Sequence, residues 1–304
     1  MSKETKQTVQ TTGHAWDGDL QEFNNPLPNW WLWGFYATVV FAIIYWVLYP
    51  TFPIGRHFST GIMNNITYTT SDGRTVTTHW NTRALLMQDL EHARAMQKPY
   101  LDKIQKASFA EIAKDQDMRA FAYSKAKVLF ADNCAACHQA GGAGVIGMYP
   151  NLADDSWLWG GSYQQIETTI SGGRHGNMPS FKGRFSDAQV ADLASYVLSL
   201  SKQKGVNAAS AMRGKTLFEG QAGCFACHTK AGTGNTQLGS ANLTDQIWTI
   251  ANIPAQHTLE GKQVAIEQVI LHGVNRRMPT WKGRLSDAEI KMLTFYIHEL
   301  GGGK

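Results

Sequence analysis

The chain has 304 residues, 43% hydrophobic and 17% charged, with a net charge of +4. That length accommodates two domains, and the mild charge, with no dense Lys/Arg run, excludes a nucleic-acid-binding footprint. All four cysteines, Cys134, Cys137, Cys224 and Cys227, fall in two Cys-x-x-Cys-His motifs, which leaves none for a structural disulfide.

Residues 1–29 read as an exposed tail that stiffens towards NNPLPNWW. The next twenty, WWLWGFYATVVFAIIYWVLY (30–49), carry no charge. A helix of that length covers about 30 Å, the thickness of a bilayer's hydrocarbon core. Trp30, Trp31 and Trp33 at one end and Tyr45, Trp46 and Tyr49 at the other form the aromatic belts of a spanning helix. Pro50 and Pro53 help to stop it. A cleaved signal peptide would have a short basic leader and small residues at its exit. Here the leader contains Asp17, Asp19 and Glu22 and the exit reads YPTFP, so the segment is an uncleaved anchor. Lys3 and Lys6 lie far from it and Arg56 lies close on the other side, so basic residues do not orient it. Residues 50–117 form a connecting segment. Within it, 54–79 reads as a loop with a short hairpin, and a helix starts after Asn81, bent or broken at Pro99. The stretch from 80 to 117 reads as a spacer or packing element, with a docking surface for a partner subunit as the alternative.

From 118 the sequence repeats. MPSFKGRFSDA (178–188) returns as MPTWKGRLSDA (278–288), and AKVLFADNCAACH (126–138) returns as GKTLFEGQAGCFACH (214–228). The predicted unit is a helix, Cys-x-x-Cys-His, a Gly-rich loop, Met-Pro and a closing helix, over 118–204 and again over 208–300. The first opening helix covers 120–132. The closing helices begin at capping boxes, Ser186 to Gln189 and Ser286 to Glu289. Their apolar residues recur at helical spacing, Val190, Leu193, Val197 and Leu200 against Ile290, Leu293, Ile297 and Leu300. SKQKGVNAAS (201–210) is a polar linker, and GGGK ends the chain without structure. The fold class is therefore mainly α: one N-terminal transmembrane helix, then two tandem domains.

Cys134-x-x-Cys137-His138 and Cys224-x-x-Cys227-His228 have the spacing of c-type haem attachment. Two thiols three residues apart reach the two vinyl groups of one porphyrin, and the His that follows can point a ring nitrogen at the iron. Zinc would require the pairs to combine, yet each lies in a repeat complete in itself. A redox dithiol would want a strand–helix setting, and none is visible. Two covalent haem c groups follow. Met178 and Met278, at equivalent places 40 residues beyond His138 and 50 beyond His228, are the axial partners; a thioether opposite His raises the reduction potential. Met148, or His175 and His272, are the rival ligands. Pro150 would place its carbonyl on His138 and fix the ring tautomer; Ala241 replaces it in the second repeat. Lys182, Arg184, Lys282 and Arg284 could meet haem propionates or an acidic partner, or simply be solvated.

The repeats resemble class I cytochrome c domains. The amino end, TTGHAWDGDLQEFNNPLPNWW (11–31) and the span that follows it, closely resembles that of the dihaem subunit, subunit III, of cbb3-type cytochrome c oxidases. The resemblance covers the whole chain; its departure is Ala241. It implies a bacterial inner-membrane protein, with the tail 1–29 cytoplasmic and residues from about 50 onward periplasmic. It implies a non-catalytic electron-transfer subunit of an oxygen-reducing, proton-pumping complex. A periplasmic c-type cytochrome would donate electrons, and the monohaem and catalytic subunits would receive them; membrane lipid is the remaining partner. The alternatives are a dihaem cytochrome serving another dehydrogenase or reductase, and a haem peroxidase or sensor with one open iron site.

Overall fold

In the computed structural model, which describes residues 9–63, 65–70 and 72–301, the chain divides into two compact units, Met1–Gln97 and Lys98–Lys304. The GGGK end, from 302, lies outside the described residues.

In the first unit residues 11–23 of the tail are more ordered than their composition suggests. Strands β1 (Thr11–Trp16) and β2 (Leu20–Phe23) form an exposed antiparallel hairpin. Asp17 and Gly18 both take positive φ at its turn, which is the Asp-Gly hairpin signal. Helix α1 (Asn29–Leu48) buries no side chain. Among the described residues it is the one helix long and apolar enough to cross a membrane. Its last carbonyls, which a helix leaves without partners, are taken up by the returning loop: Ile62 and Met63 N–H donate to Val47 and Leu48 at 3.1 and 3.0 Å. The expected single hairpin beyond it is two, β3 (Pro53–Ile54) with β4 (His57–Phe58) and β5 (Ile66–Thr69) with β6 (Thr75–Thr78).

Helix α2 runs through Thr82–Lys106, so Pro99 does not end it. An interior proline costs about 3 kcal/mol, but Ile104 beyond it is fully buried in a core that holds the last turns. Helix α3 (Phe109–Lys114) adds Ile112 to that core. This portion of the connecting segment is therefore a packing element.

Opening helix α4 (Gln116–Asn133) leads into the one-turn helix α5 (Ala135–His138); α6 (Tyr163–Gly172) precedes strand β7 (Arg174–Met178) and closing helix α7 (Asp187–Leu200). The second repeat has the same series: α8 (Ala208–Glu219), α9 (Phe225–His228), α10 (Leu259–His272), β8 (Val274–Met278) and α11 (Asp287–Glu299). Both closing helices start at complete capping boxes, on Ser186 with Gln189 and Ser286 with Glu289.

The repeats 118–204 and 208–300 are units of sequence; the packed bodies draw on both. Helix α11 packs on α4 and α6, whereas α7 packs on α8 and α10. One core joins Ala122, Ala126 and Phe130 of α4 to Ile170 of α6 and Leu293 and Ile297 of α11. The other joins Val190, Leu193 and Val197 of α7 to Phe218 of α8 and Ile266 and Ile270 of α10. The second body is thus continuous in sequence and is inserted into the first, whose closing helix comes last. The seven-residue link 201–207 favours this arrangement, since short connections keep consecutive helices adjacent.

The crossover is an antiparallel ribbon. Strands β7 and β8 pair with Arg174 opposite Met278, Gly176 opposite Arg276 and Met178 opposite Val274. Gly173 and Gly273, both at φ +69°, begin the two strands; a Cβ on either would strike the carbonyl of the methionine on the opposite strand. Beyond it each Met-Pro segment crosses to the other repeat. Phe181 N–H donates to Ile270 O and Trp281 N–H to Ile170 O, both at 3.1 Å, which satisfies carbonyls at the ends of α10 and α6.

Polar chemistry distinguishes the two helix crossings. On α7, Asp192 accepts Arg213 Nε and Nη2 at 2.8 and 2.7 Å and Ser210 Oγ at 2.6 Å, all from α8. The equivalent residue on α11 is Met292, fully buried against the apolar core that contains Ala122. At Gly214 a Cβ would overlap the Asp192 carbonyl, so the helices there touch backbone to backbone. Exchanging α7 and α11 would leave Asp192 buried away from Arg213. Asp192→Ala should destabilise the fold by about 1.5–3 kcal/mol, the usual value of charge-assisted hydrogen bonds, read by equilibrium unfolding. The Arg213 guanidinium holds the Asp192 carboxyl below the usual carboxylate range. Its contribution is therefore complete above the unfolded value of about 3.9 and is lost as pH falls through the lower folded value.

Candidate functional site

The first Cys-x-x-Cys-His motif follows its opening helix directly and the second follows after four residues, so a rigid element leads into each. Cys134 caps α4, and Cys137 and His138 lie on α5; Cys224 precedes α9, which carries Cys227 and His228. His138 Nδ1 donates to the Pro150 carbonyl at 3.0 Å and His228 Nδ1 to the Ala241 carbonyl at 2.9 Å. Each bond fixes the tautomer and leaves Nε2 free for a metal. The exchange of Pro for Ala preserves the acceptor. Burial lowers the pKa of both imidazoles, which favours the neutral, ligating form.

Burial also pushes the Cys134 and Cys224 thiols up to about 11. A dithiol redox catalyst uses a lowered thiol pKa, so the environment opposes that chemistry. Among the described residues no three His, Cys, Asp or Glu side chains converge as metal ligands, so neither cysteine pair has the partners for tetrahedral zinc.

The two motifs open on one continuous cavity of about 830 Å³, which Met178 and Met278 also line. The methionines are exchanged. Met278 packs against the core that contains Cys134, and Met178 against the core that contains Cys224. Each attachment motif therefore packs beside the methionine of the other repeat, Cys134 with Met278 and Cys224 with Met178. The physical reason is the ribbon, which carries each strand into the other body before its Met-Pro.

Of the rival ligands, Met148 lines the same cavity, whereas His175 and His272 do not. Met148 is 57% exposed on its loop and belongs to neither core. His175 lies on the outer face of the ribbon, bonded to Asn275 Oδ1 at 2.9 Å, and His272 is exposed with Nδ1 on Gln268 O at 3.0 Å. Lys182, Arg184, Lys282 and Arg284 are exposed. Arg184 stacks over Phe181 at 5.0 Å and Arg284 over Trp281 at 5.7 Å, so the arginines form an ordered basic rim on each Met-Pro loop.

The cavity wall fits a porphyrin bearing carboxylates. It is predominantly apolar, it is lined by His138, His228, Met178 and Met278, and the buried Trp157 Nε1–H beside it has no partner among the described residues. An acidic group bound in the cavity would supply the missing acceptor. Sequence reasoning missed Trp157 and two ribbon arginines, Arg174 and Arg276. The signal was the period-two alternation of RHGNM and VNRRM, which puts both arginines on the methionine face. Burial lowers the pKa of both guanidiniums.

Fold and site define a tandem class I cytochrome c with one N-terminal candidate membrane helix. Residues 8–56 match the N-terminal domain of cytochrome oxidase-cbb3, FixP. Residues 121–197 and 209–297 each match cytochrome c oxidase, cbb3-type, subunit III. The cbb3-type cytochrome c oxidase subunit FixP of Azorhizobium caulinodans is 39% identical over 302 residues, covering 97% of this chain and 94% of its own. The subunits CcoP of Azospirillum brasilense and Cereibacter sphaeroides are 36% and 34% identical, over 99% and 97% of this chain and 98% and 95% of theirs. The chain belongs to the subunit III family of cbb3-type cytochrome c oxidases, and it is a haem c-binding subunit of such an oxidase.

Proposed function

We propose that this chain holds two covalent haems c and relays electrons from a periplasmic donor cytochrome to the monohaem and catalytic, oxygen-reducing subunits of the oxidase. Cys134, Cys137, His138 and Met278 would hold the first haem, and Cys224, Cys227, His228 and Met178 the second. The carrying observation is the shared cavity, which brings both complete ligand sets into one wall. When bound, the haem irons supply one-electron exchange. The protein's part is to fix both ligands of each, through the histidine–carbonyl bonds and the ribbon, and so to leave no position for oxygen. It also excludes water with the apolar walls. Haem c attachment outside the cytoplasm puts the bodies after α1 in the periplasm and the β1–β2 hairpin in the cytoplasm. The exposed Lys182, Arg184, Lys282 and Arg284 suit an acidic donor surface.

The amino-terminal segment separates this reading from a cytochrome serving another dehydrogenase or reductase. Replacing residues 8–56 by an unrelated single span should abolish co-purification with the catalytic subunit and leave two stainable haems per chain. Unchanged co-purification overturns the oxidase-specific role of that segment. High-spin haem or carbon monoxide binding in the reduced wild type overturns the closed ligand sets.

A further inference from the structure

The ribbon carries a positive charge whose placement breaks the symmetry of the repeats. Its pairing makes Gly176 and Arg276 both equivalent in the repeats and directly opposite in space, at the pseudo-twofold centre. Only one of those places bears a side chain, which leaves room for a single guanidinium. One step out, the equivalent residues are Arg174 and Val274. Arg174 lies opposite Met278, the methionine of the first site, while Val274 lies opposite Met178, the methionine of the second. Both arginines line the cavity.

Each guanidinium has a defined setting that lacks an anion. Arg174 lies over the Trp159 ring at 4.7 Å and donates from Nε to Thr169 Oγ1 at 2.9 Å. Trp159 in turn is packed against Gly239 of the second repeat, where a Cβ would collide with its ring. Arg276 lines the same cavity as Tyr149, the neighbour in sequence of the Pro150 that holds His138. Among the described residues, neither arginine forms an ion pair with a carboxylate. A half-buried guanidinium without a counter-ion is costly, and its fork geometry matches a carboxylate.

We propose that Arg174 and Arg276 bind the haem carboxylates of the first site and raise its reduction potential selectively, Val274 and Gly176 denying the second site the same charge. The inference rests on the crossed ligand sets proposed above. A cation beside a haem and its carboxylates offsets negative charge and so favours the reduced iron, which carries one positive charge less than the oxidised iron.

The test is a spectroscopic redox titration of the purified complex in a Met178→His background, where a second imidazole lowers the second site's potential and separates the two components. Arg174→Gln should lower the first component by about 59 mV, a tenfold fall in its reduction equilibrium, and leave the second in place. Arg276→Gln should act in the same direction. Arg174→Lys should keep most of the potential, and two haems per chain by pyridine haemochrome should report intact assembly. If both glutamine variants leave the first component unmoved, or lower both components equally, the inference is overturned. If Met178→His moves the component that Arg174→Gln also moves, the crossed ligand sets fall and the inference with them. A wild type without c-type haem would overturn the function itself.

Discussion

A chain cut to residues 174–273 should fold and attach one haem, whereas one cut to the complete sequence repeat 208–300 should attach none. The piece 174–273 contains α7, α8, α9 and α10, the whole of one core, together with Cys224, Cys227, His228 and Met178. The repeat-based piece keeps the attachment motif but loses α7, on which α8 and α10 both pack. It gains α11, whose partners α4 and α6 are absent. Burying one large apolar side chain is worth about 1.5–3 kcal/mol. Loss of Val190, Leu193, Val197 and Leu198 together therefore removes about 6–12 kcal/mol, comparable with the entire stability of a small domain. Haem staining and far-ultraviolet circular dichroism of the two pieces, exported to the same compartment, read the difference. A folded, haem-loaded 208–300 would mean that each repeat closes on itself.

The second large effect is on the irons. With the second haem removed by Cys224→Ser and Cys227→Ser, Met278→Ala should convert the remaining haem wholly to high spin and lower its potential. Met178→Ala should leave its spectrum unchanged. Met178 is nearer in sequence to His138, but its side chain packs with the core that contains Cys224. If Met178→Ala changes the first haem and Met278→Ala does not, the ligands are paired within each repeat.

These experiments turn on what the sequence could and could not express. The anchor was legible because twenty uncharged residues have few other uses. The capping boxes were legible because Ser186 and Ser286 act on residues three positions away. The carbonyls beside His138 and His228 followed from local spacing. Partner choice between the closing helices did not follow in this way, since α7 and α11 present nearly the same apolar stripe. The discriminating residues were present but unread: Asp192 against Met292, Arg213 to receive the acid, and the short link 201–207. Likewise Asp17-Gly18 marks a hairpin within a polar tail, and the buried turn around Ile104 outweighs the break at Pro99.

The insertion of one body within the other also sets an order of maturation. As the chain emerges, His138 is exposed early, but Met278 and α11 follow only after the entire second body, 174–273, has passed. That second body holds its own histidine, methionine and closing helix within one hundred consecutive residues, and can collapse as soon as they are out. The Cys-x-x-Cys-His motif that emerges first is therefore the last to be enclosed. Through that interval Cys134 and Cys137 stay uncovered, and a chain stalled before residue 278 would have one closed body and one open one.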